Sequence, residues 1–240
     1  MSDPRRAELA ANLAAVRDRI SAACDSAGRD PGEVELVVIT KTYPADDVLR
    51  LASLGVTDVG ENRDQEAEPK AAEVAAAGGR VRWHFVGRLQ RNKCRSVAGY
   101  ADMVHSVDSV RLAHALSHAV TSIENRASVD VLVQVSLDGS RGGAIVDGPQ
   151  PDTALEEVLA AVGTAAGLRL RGLMAVAPLE WQPERAFALL AEVHARAVGR
   201  YPSATVLSAG MSGDLEQAIR HGATHVRVGS AVLGQRPPLG

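Results

Sequence analysis

Apolar residues along the chain switch between a period of two and a period near 3.6, the spacings that separate strands from amphipathic helices. The first segment is helical. Leu9, Leu13, Val16 and Ile20 recur at helical spacing, Asp3 stands where a cap belongs, Pro4 suits a first turn and Gly28 a stop. Eight strand-like runs follow: VELVVIT (34–40), VTDVGEN (56–62), VRWHFVG (81–87), DMVHSV (102–107), VDVLVQVS (129–136), LRLRGLMAV (168–176), ATVLSAG (204–210) and THVRVG (224–229). Helical stretches separate them, among them 46–54, 64–77, 108–124, 153–166 and 183–198. The stretch 153–166 opens with the capping-box pattern Thr153-x-x-Glu156, and Pro69 is expected to break or kink 64–77. Residues 138–151, DGSRGGAIVDGPQP, read as a long loop able to cover a neighbouring site.

Eight strands alternating with helices within 240 residues predict a single (β/α)8 TIM barrel, with an extra N-terminal helix over 1–28 and the barrel over 34–240. A doubly wound open sheet is the alternative. No internal repeat, low-complexity tract or linker divides the chain, so residues 1–240 read as one domain. The first run ends in an unexpected residue. Val37, Ile39 and Lys41 share one face of it, while Leu36, Val38 and Thr40 share the other. A strand apolar on both faces is buried in a parallel sheet, and a lysine at its carboxyl end lies where α/β folds place ligands. The alternative is a lysine leaving the strand into solvent.

Composition narrows the function. The chain is 46% hydrophobic and 23% charged, with a formal charge of −3 and no strongly basic stretch, which argues against nucleic acid or an anionic membrane as partner. Cys24 and Cys94 match no metal-ligand spacing and read as reduced thiols, and no metal is expected. With no apolar signal core and no 18-residue apolar run, a cytoplasmic location is expected.

In a barrel the active face lies at the carboxyl ends of the strands. Those ends carry Lys41, Glu61, Asn62, His84, His105, Asp108, Met174, Ser208, Arg227, Gly229 and Ser230. Ordinary roles remain open for several: core histidines at 84 and 105, a core filler at Met174, a helix cap at Asp108. LSAGMSGDLEQAI (207–219) is more informative. Gly210 and Gly213 free the backbone where a strand turns into a helix and Ser212 suits a cap, so the segment reads as a phosphate cradle or as an ordinary helix start. VRVGSAVLG repeats the arrangement with Gly229 and Ser230, and turns after strands seven and eight are the usual phosphate site of such barrels. In HVRVGS the alternation turns Arg227 into the barrel, where its charge needs either a ligand or an internal carboxylate such as Glu35, Asp58 or Glu61.

Taken together, TKTYP, GEN, WHFVGRLQRNK, VHSVDS, GLMAV, LSAGMSGDLEQAI and VRVGSAVLG resemble the pyridoxal phosphate homeostasis family, in order from residue 40 to residue 234. The resemblance implies a barrel of the alanine racemase N-terminal type carrying pyridoxal 5′-phosphate, with Lys41 matching the lysine that forms the Schiff base. It implies that Gly210, Met211, Ser212, Gly229 and Ser230 form the phosphate cradle with Ser208 at its border. By the same matching Arg227 partners the pyridine nitrogen and Asn62 lies near the ring. Thr40 stands where serine often precedes the lysine, and Ala209 where methionine is frequent. From the divergent loop near Arg141 no residue is carried over.

The leading expectation is a cofactor-binding protein without turnover, most simply a monomer, that buffers pyridoxal phosphate or delivers it to pyridoxal-dependent apo-enzymes. A pyridoxal-dependent enzyme such as an amino-acid racemase is the alternative, and a Schiff-base aldolase acting on a sugar phosphate is a third. An arginine at the pyridine nitrogen makes the ring a weak electron sink. A second acid–base group is also lacking after the eighth strand, Tyr43 being the nearest candidate.

Overall fold

The computed structural model describes residues 3–139, 142–146, 148, 150 and 152–234. The chain begins with α1 (Pro4–Ala27) and continues through β1 (Glu35–Ile39), α2 (Ala45–Ser53), β2 (Asp58–Glu61), α3 (Asp64–Ala76), β3 (Arg82–Phe85) and α4 (Cys94–Tyr100). It goes on through β4 (Met103–Val107), α5 (Val110–Thr121), β5 (Val129–Ser136), β6 (Ala144–Ile145), α6 (Leu155–Thr164) and β7 (Leu168–Met174). The last elements are α7 (Pro183–Arg200), β8 (Val206–Ser208), α8 (Leu215–Arg220), β9 (His225–Val228) and α9 (Ser230–Leu233). Eight of the strands pair in parallel in the order β1, β2, β3, β4, β5, β7, β8, β9, and β9 pairs back with β1, closing the barrel. The predicted (β/α)8 architecture is the observed one, and the open sheet is not.

The alternation within each strand sorts side chains to two sides of the wall. Leu9, Leu13, Val16 and Ile20 of α1 pack with Val38, Val59, Val226 and Val228 of the strands and Leu215 and Ile219 of α8. Each such burial contributes roughly 1.5–3 kcal/mol. A second outer cluster packs Phe85, Val104, Val131 and Leu173 against Leu116, Leu159 and Phe187 of the helices. With Val226 and Val228 outside, Arg227 faces inward. Helix α1 starts and stops as its sequence predicts: Asp3 accepts from the amides of Arg5 and Arg6, and Gly28 closes it at φ 66°.

Three local expectations fail. Helix α3 runs unbroken through Pro69, because Ala67, Lys70, Ala71 and Val74 pack it on the barrel and a proline in its second turn removes a single backbone bond. The Thr153 capping box does not form. Helix α6 starts at Leu155 with Ala154 before it, and the Thr153 carbonyl instead accepts from Ile145. The long loop carries the short strand β6, which pairs in parallel with Val135 and Ser136 of β5. Ser140, Arg141, Asp147, Pro149 and Pro151 of that loop lie outside the described residues. Among the described residues no helix is long and apolar enough to cross a membrane.

Candidate functional site

Strand β1 ends at Ile39, so Lys41 sits not in the strand but at the corner of the turn that follows. The Tyr43 amide donates to the Thr40 carbonyl at 3.1 Å, and Thr42 holds φ 71°. These are the marks of a type II turn with Lys41 at its second position. A β-branched residue in the left-handed region is strained by about 1–3 kcal/mol, and such strain concentrates at functional sites. A buried ionic cluster holds the turn. Lys70 donates to the Thr40 carbonyl at 3.0 Å, to Glu61 at 2.7 Å and to Glu66 at 3.0 Å. Glu66 in turn accepts from the Thr42 amide, and Thr40 Oγ1 donates to Glu61 at 2.7 Å. Burial, the largest influence, raises the Glu61 carboxyl above its usual range despite Lys70 beside it.

Opposite this turn, two others follow β8 and β9. In the first, Gly210 adopts φ 89°, and a Cβ there would come within 2.6 Å of Ala218 Cβ, so only glycine fits. Helix α8 begins at Leu215 with Asp214 at its cap position, two residues later than the cap expected at Ser212. Asp214 Oδ1 accepts from the Met211 amide at 2.6 Å and tightens that turn. In the second, Gly229 precedes Ser230, the first residue of α9. Helix α1 braces α9, as Arg5 and Asn12 donate to the carbonyls of Leu233 and Val232.

Between these turns lies a cavity of about 280 Å³, lined by Ile39, Lys41, Tyr43, Met211, Ser212, Gly213, Arg227, Gly229, Ser230 and Gly234. Arg227 borders it from the barrel interior. Nη1 donates to Ser208 Oγ at 2.7 Å and Nη2 to the Ala175 carbonyl at 2.9 Å, two of its five N–H groups. None of the three carboxylates considered for it is its partner: Glu35 and Asp58 pair with Arg82, and Glu61 pairs with Lys70. Burial pushes Arg227 down to about 10, which leaves it charged at neutral pH. The donor set fits a phosphorylated pyridine aldehyde: an amine at Lys41, hydroxyls and glycine backbone at Ser212–Gly213 and Gly229–Ser230, and a guanidinium at Arg227. A Cβ on Gly213 would meet nothing within 4 Å, so that stretch of wall leaves room for a group.

Of the nine residues expected at the site, Lys41, Met211, Ser212, Arg227, Gly229 and Ser230 line this one cavity. Gly210, Ser208 and Asn62 do not. Gly210 shapes the turn from behind, Ser208 is fully buried beneath Arg227, and Asn62 packs its backbone against Gly87. The sequence reading passed over His225, Gly234 and Lys70. Alternation in THVRV could have placed His225 inward beside Arg227, but nothing local marks Lys70 as a support for the turn at residue 41.

The chain matches the family described as alanine racemase, N-terminal domain, over residues 11–237. It is 50% identical to the pyridoxal phosphate homeostasis protein of Mycobacterium tuberculosis over 97% of this chain and 94% of that protein. With the protein of the same name from Escherichia coli the identity is 37%, over 95% and 97% of the two chains. Among solved structures, PipY of Synechococcus elongatus with PLP bound superposes with a TM-score of 0.79 at 32% identity, covering 94% of this chain and all of that one. By these likenesses, and on the barrel and cavity just described, the chain belongs to the pyridoxal phosphate homeostasis protein family.

Proposed function

We propose that this protein holds pyridoxal 5′-phosphate in the cavity at the carboxyl ends of β1, β8 and β9 and serves to buffer it or deliver it to pyridoxal-dependent apo-enzymes. One observation carries the reading: six residues singled out from three separated stretches of sequence meet in a single cavity of about 280 Å³. The bound group supplies an aldehyde that condenses with a primary amine. Lys41 is the amine at the rim, presented by the strained turn and its Lys70 support. Ser212, Gly213, Gly229 and Ser230 receive the phosphate. Arg227 donates to the pyridine nitrogen and keeps it unprotonated, because a guanidinium does not give up its proton near neutral pH.

The reading extends to binding without turnover, by residues 1–240 acting as one domain and as a monomer. A weak electron sink disfavours transamination. Racemisation calls for a second acid–base group, and the Tyr43 hydroxyl, which lines the cavity, donates to the Gly234 carbonyl at 2.9 Å. An absorbance spectrum with intact mass after borohydride reduction tests the binding. The expected result is a yellow protein that bleaches and gains the mass of one reduced cofactor. A colourless protein of unchanged mass would end the reading. Incubation of the loaded protein with alanine or serine in deuterated water tests the absence of turnover, and deuterium at the α-carbon that depends on Lys41 would favour the racemase alternative.

A further inference from the structure

Inside the barrel, below the cavity, five side chains from five strands form one unbroken line of hydrogen bonds. Arg227 Nη1 meets Ser208 Oγ at 2.7 Å, Ser208 Oγ meets His105 Nδ1 at 3.0 Å, His105 Nε2 meets His84 Nδ1 at 2.8 Å, and His84 Nε2 meets Asp58 Oδ1 at 2.7 Å. All five are at least 95% buried. The line runs from the cofactor cavity to Asp58, which lines a separate cavity beside α1, near the amino-terminal ends of β1 and β2, with Arg17, Glu35 and Thr57.

With a single proton on each imidazole, the chemistry of the two ends fixes the direction of every bond between them. Arginine can only donate, so Ser208 accepts from it and has its own proton to place elsewhere. At the far end stands a carboxylate. Burial alone would raise the Asp58 carboxyl, but hydrogen bonds from His84, Arg82 and Thr57 outweigh it and hold the group below the usual range. An ionised carboxylate only accepts, so His84 must present Nε2–H to it. With one proton on each ring, His84 accepts at Nδ1 from His105 Nε2–H, and His105 accepts at Nδ1 from Ser208. Burial first, and then the nearby charge of Arg227, pushes His105 well below the usual imidazole range, so it is the neutral ring this pattern requires. With the single protons run the other way, an unprotonated His84 Nε2 would face the carboxylate at 2.7 Å, two lone pairs opposed.

We infer that His84 and His105 each carry a single proton and that Asp58, His84, His105 and Ser208 thereby form a one-way relay of positioning residues, which fixes the Arg227 guanidinium in place as a donor to the cofactor's ring nitrogen. The inference rests on the assignment of Arg227 to that nitrogen made above. A guanidinium on an isolated side chain can swing or turn its plane, whereas one whose inner N–H groups are claimed by Ser208 and Ala175 presents its outer edge to the cavity. Asp58 touches no part of the cofactor cavity. It acts through four hydrogen bonds by deciding which nitrogen of each histidine carries the proton.

Two measurements test this. In ligand-free protein, imidazole nitrogen NMR should show His84 and His105 neutral with the proton on Nε2. A proton on Nδ1 of either ring, or a charged ring at either position near neutral pH, overturns the relay. In protein loaded with pyridoxal 5′-phosphate labelled at the pyridine nitrogen, Ser208→Ala and Asp58→Asn should each move the ring-nitrogen shift and weaken affinity about tenfold, the scale of one charge-assisted hydrogen bond. Asp58→Asn also lets His84 accept instead of donate, so a mixture of histidine tautomers should appear in it. If Ser208→Ala fails to fold, Asp58→Asn, which keeps shape at the far end, decides. Wild type and variants with the same ring-nitrogen shift and affinity overturn the relay and leave cofactor binding intact. A wild-type protein that takes up no cofactor overturns both.

Discussion

Two sides of the barrel interior are built on opposite principles. On one, Met103, Leu132, Met174 and Val206 from β4, β5, β7 and β8 form a small dry cluster. On the other, β2, β3, β4, β8 and β9 turn Asp58, His84, His105, Ser208, His225 and Arg227 inward, nearly all of them buried as deeply as the methionines. The apolar side stabilises the fold simply by leaving water. The polar side gains nothing from burial and is tolerable because its members satisfy one another. That side lies beneath the cavity with Lys41 at its rim. A barrel can fill its interior with apolar side chains at lower cost, so a paired polar line there marks where the fold serves a ligand rather than itself.

Substitutions can pull the two sides apart. The largest effect belongs to the rim: Lys41→Ala should abolish covalent attachment entirely while the protein still folds, and peptide mapping after borohydride should find the cofactor on Lys41 in the wild type. Cofactor recovered on Lys93 or Lys70 would move the site. On the dry side, Leu132→Ala should cost about 2–5 kcal/mol of stability in chemical denaturation. Its cofactor affinity should stay at the wild-type value, and a parallel loss would show that the two sides are not separable.

Acid should attack the polar side first. Burial pushes His225 down to about 4, against about 6.5 for an unfolded histidine. Its unfolded form therefore binds more protons, so stability is complete above about pH 6.5 and falls as the pH drops toward 4, by as much as about 3 kcal/mol. His105, also depressed, acts in the same direction. Melting temperature against pH should show this decline, and His225→Gln should flatten it; an unchanged slope would place the titration elsewhere. Ser212→Asp should weaken cofactor binding about tenfold or more by repelling the phosphate, with the stability of the ligand-free protein held; unchanged affinity by fluorescence titration would put the phosphate elsewhere. The smallest effect lies outside both sides. Asp3→Ala removes the cap of α1 and should cost about 1 kcal/mol with no change in cofactor binding.

Much of this architecture was legible because its causes are local. The spacing of Leu9, Leu13, Val16 and Ile20 with Asp3 and Gly28 describes a helix wherever it packs, and the alternation in HVRVGS already divides outward valines from Arg227. The glycines at 210 and 229 announced turns after strands, though not that Gly210 would stand behind the cavity wall rather than in it. Local signals misled where packing overrode them, as at Pro69, or where a neighbouring segment claimed the backbone, as at Thr153.

By itself, then, the sequence determined the order of elements, the barrel they close into, and which residues turn inward or stand at strand ends. Only the tertiary structure decided which inward residue meets which. Asp58 was a plausible partner for Arg227 from alternation alone, yet the closed barrel places it at the other end of a line that passes through His84, His105 and Ser208. Lys70 likewise became the support of the turn bearing Lys41 only when α3 docked beside β1 and β2. The reason is geometric. Periodicity records the side of the wall a residue faces, which the chain settles within a few residues. Strand register and barrel closure decide its partner, and they are set by contacts between segments far apart in sequence.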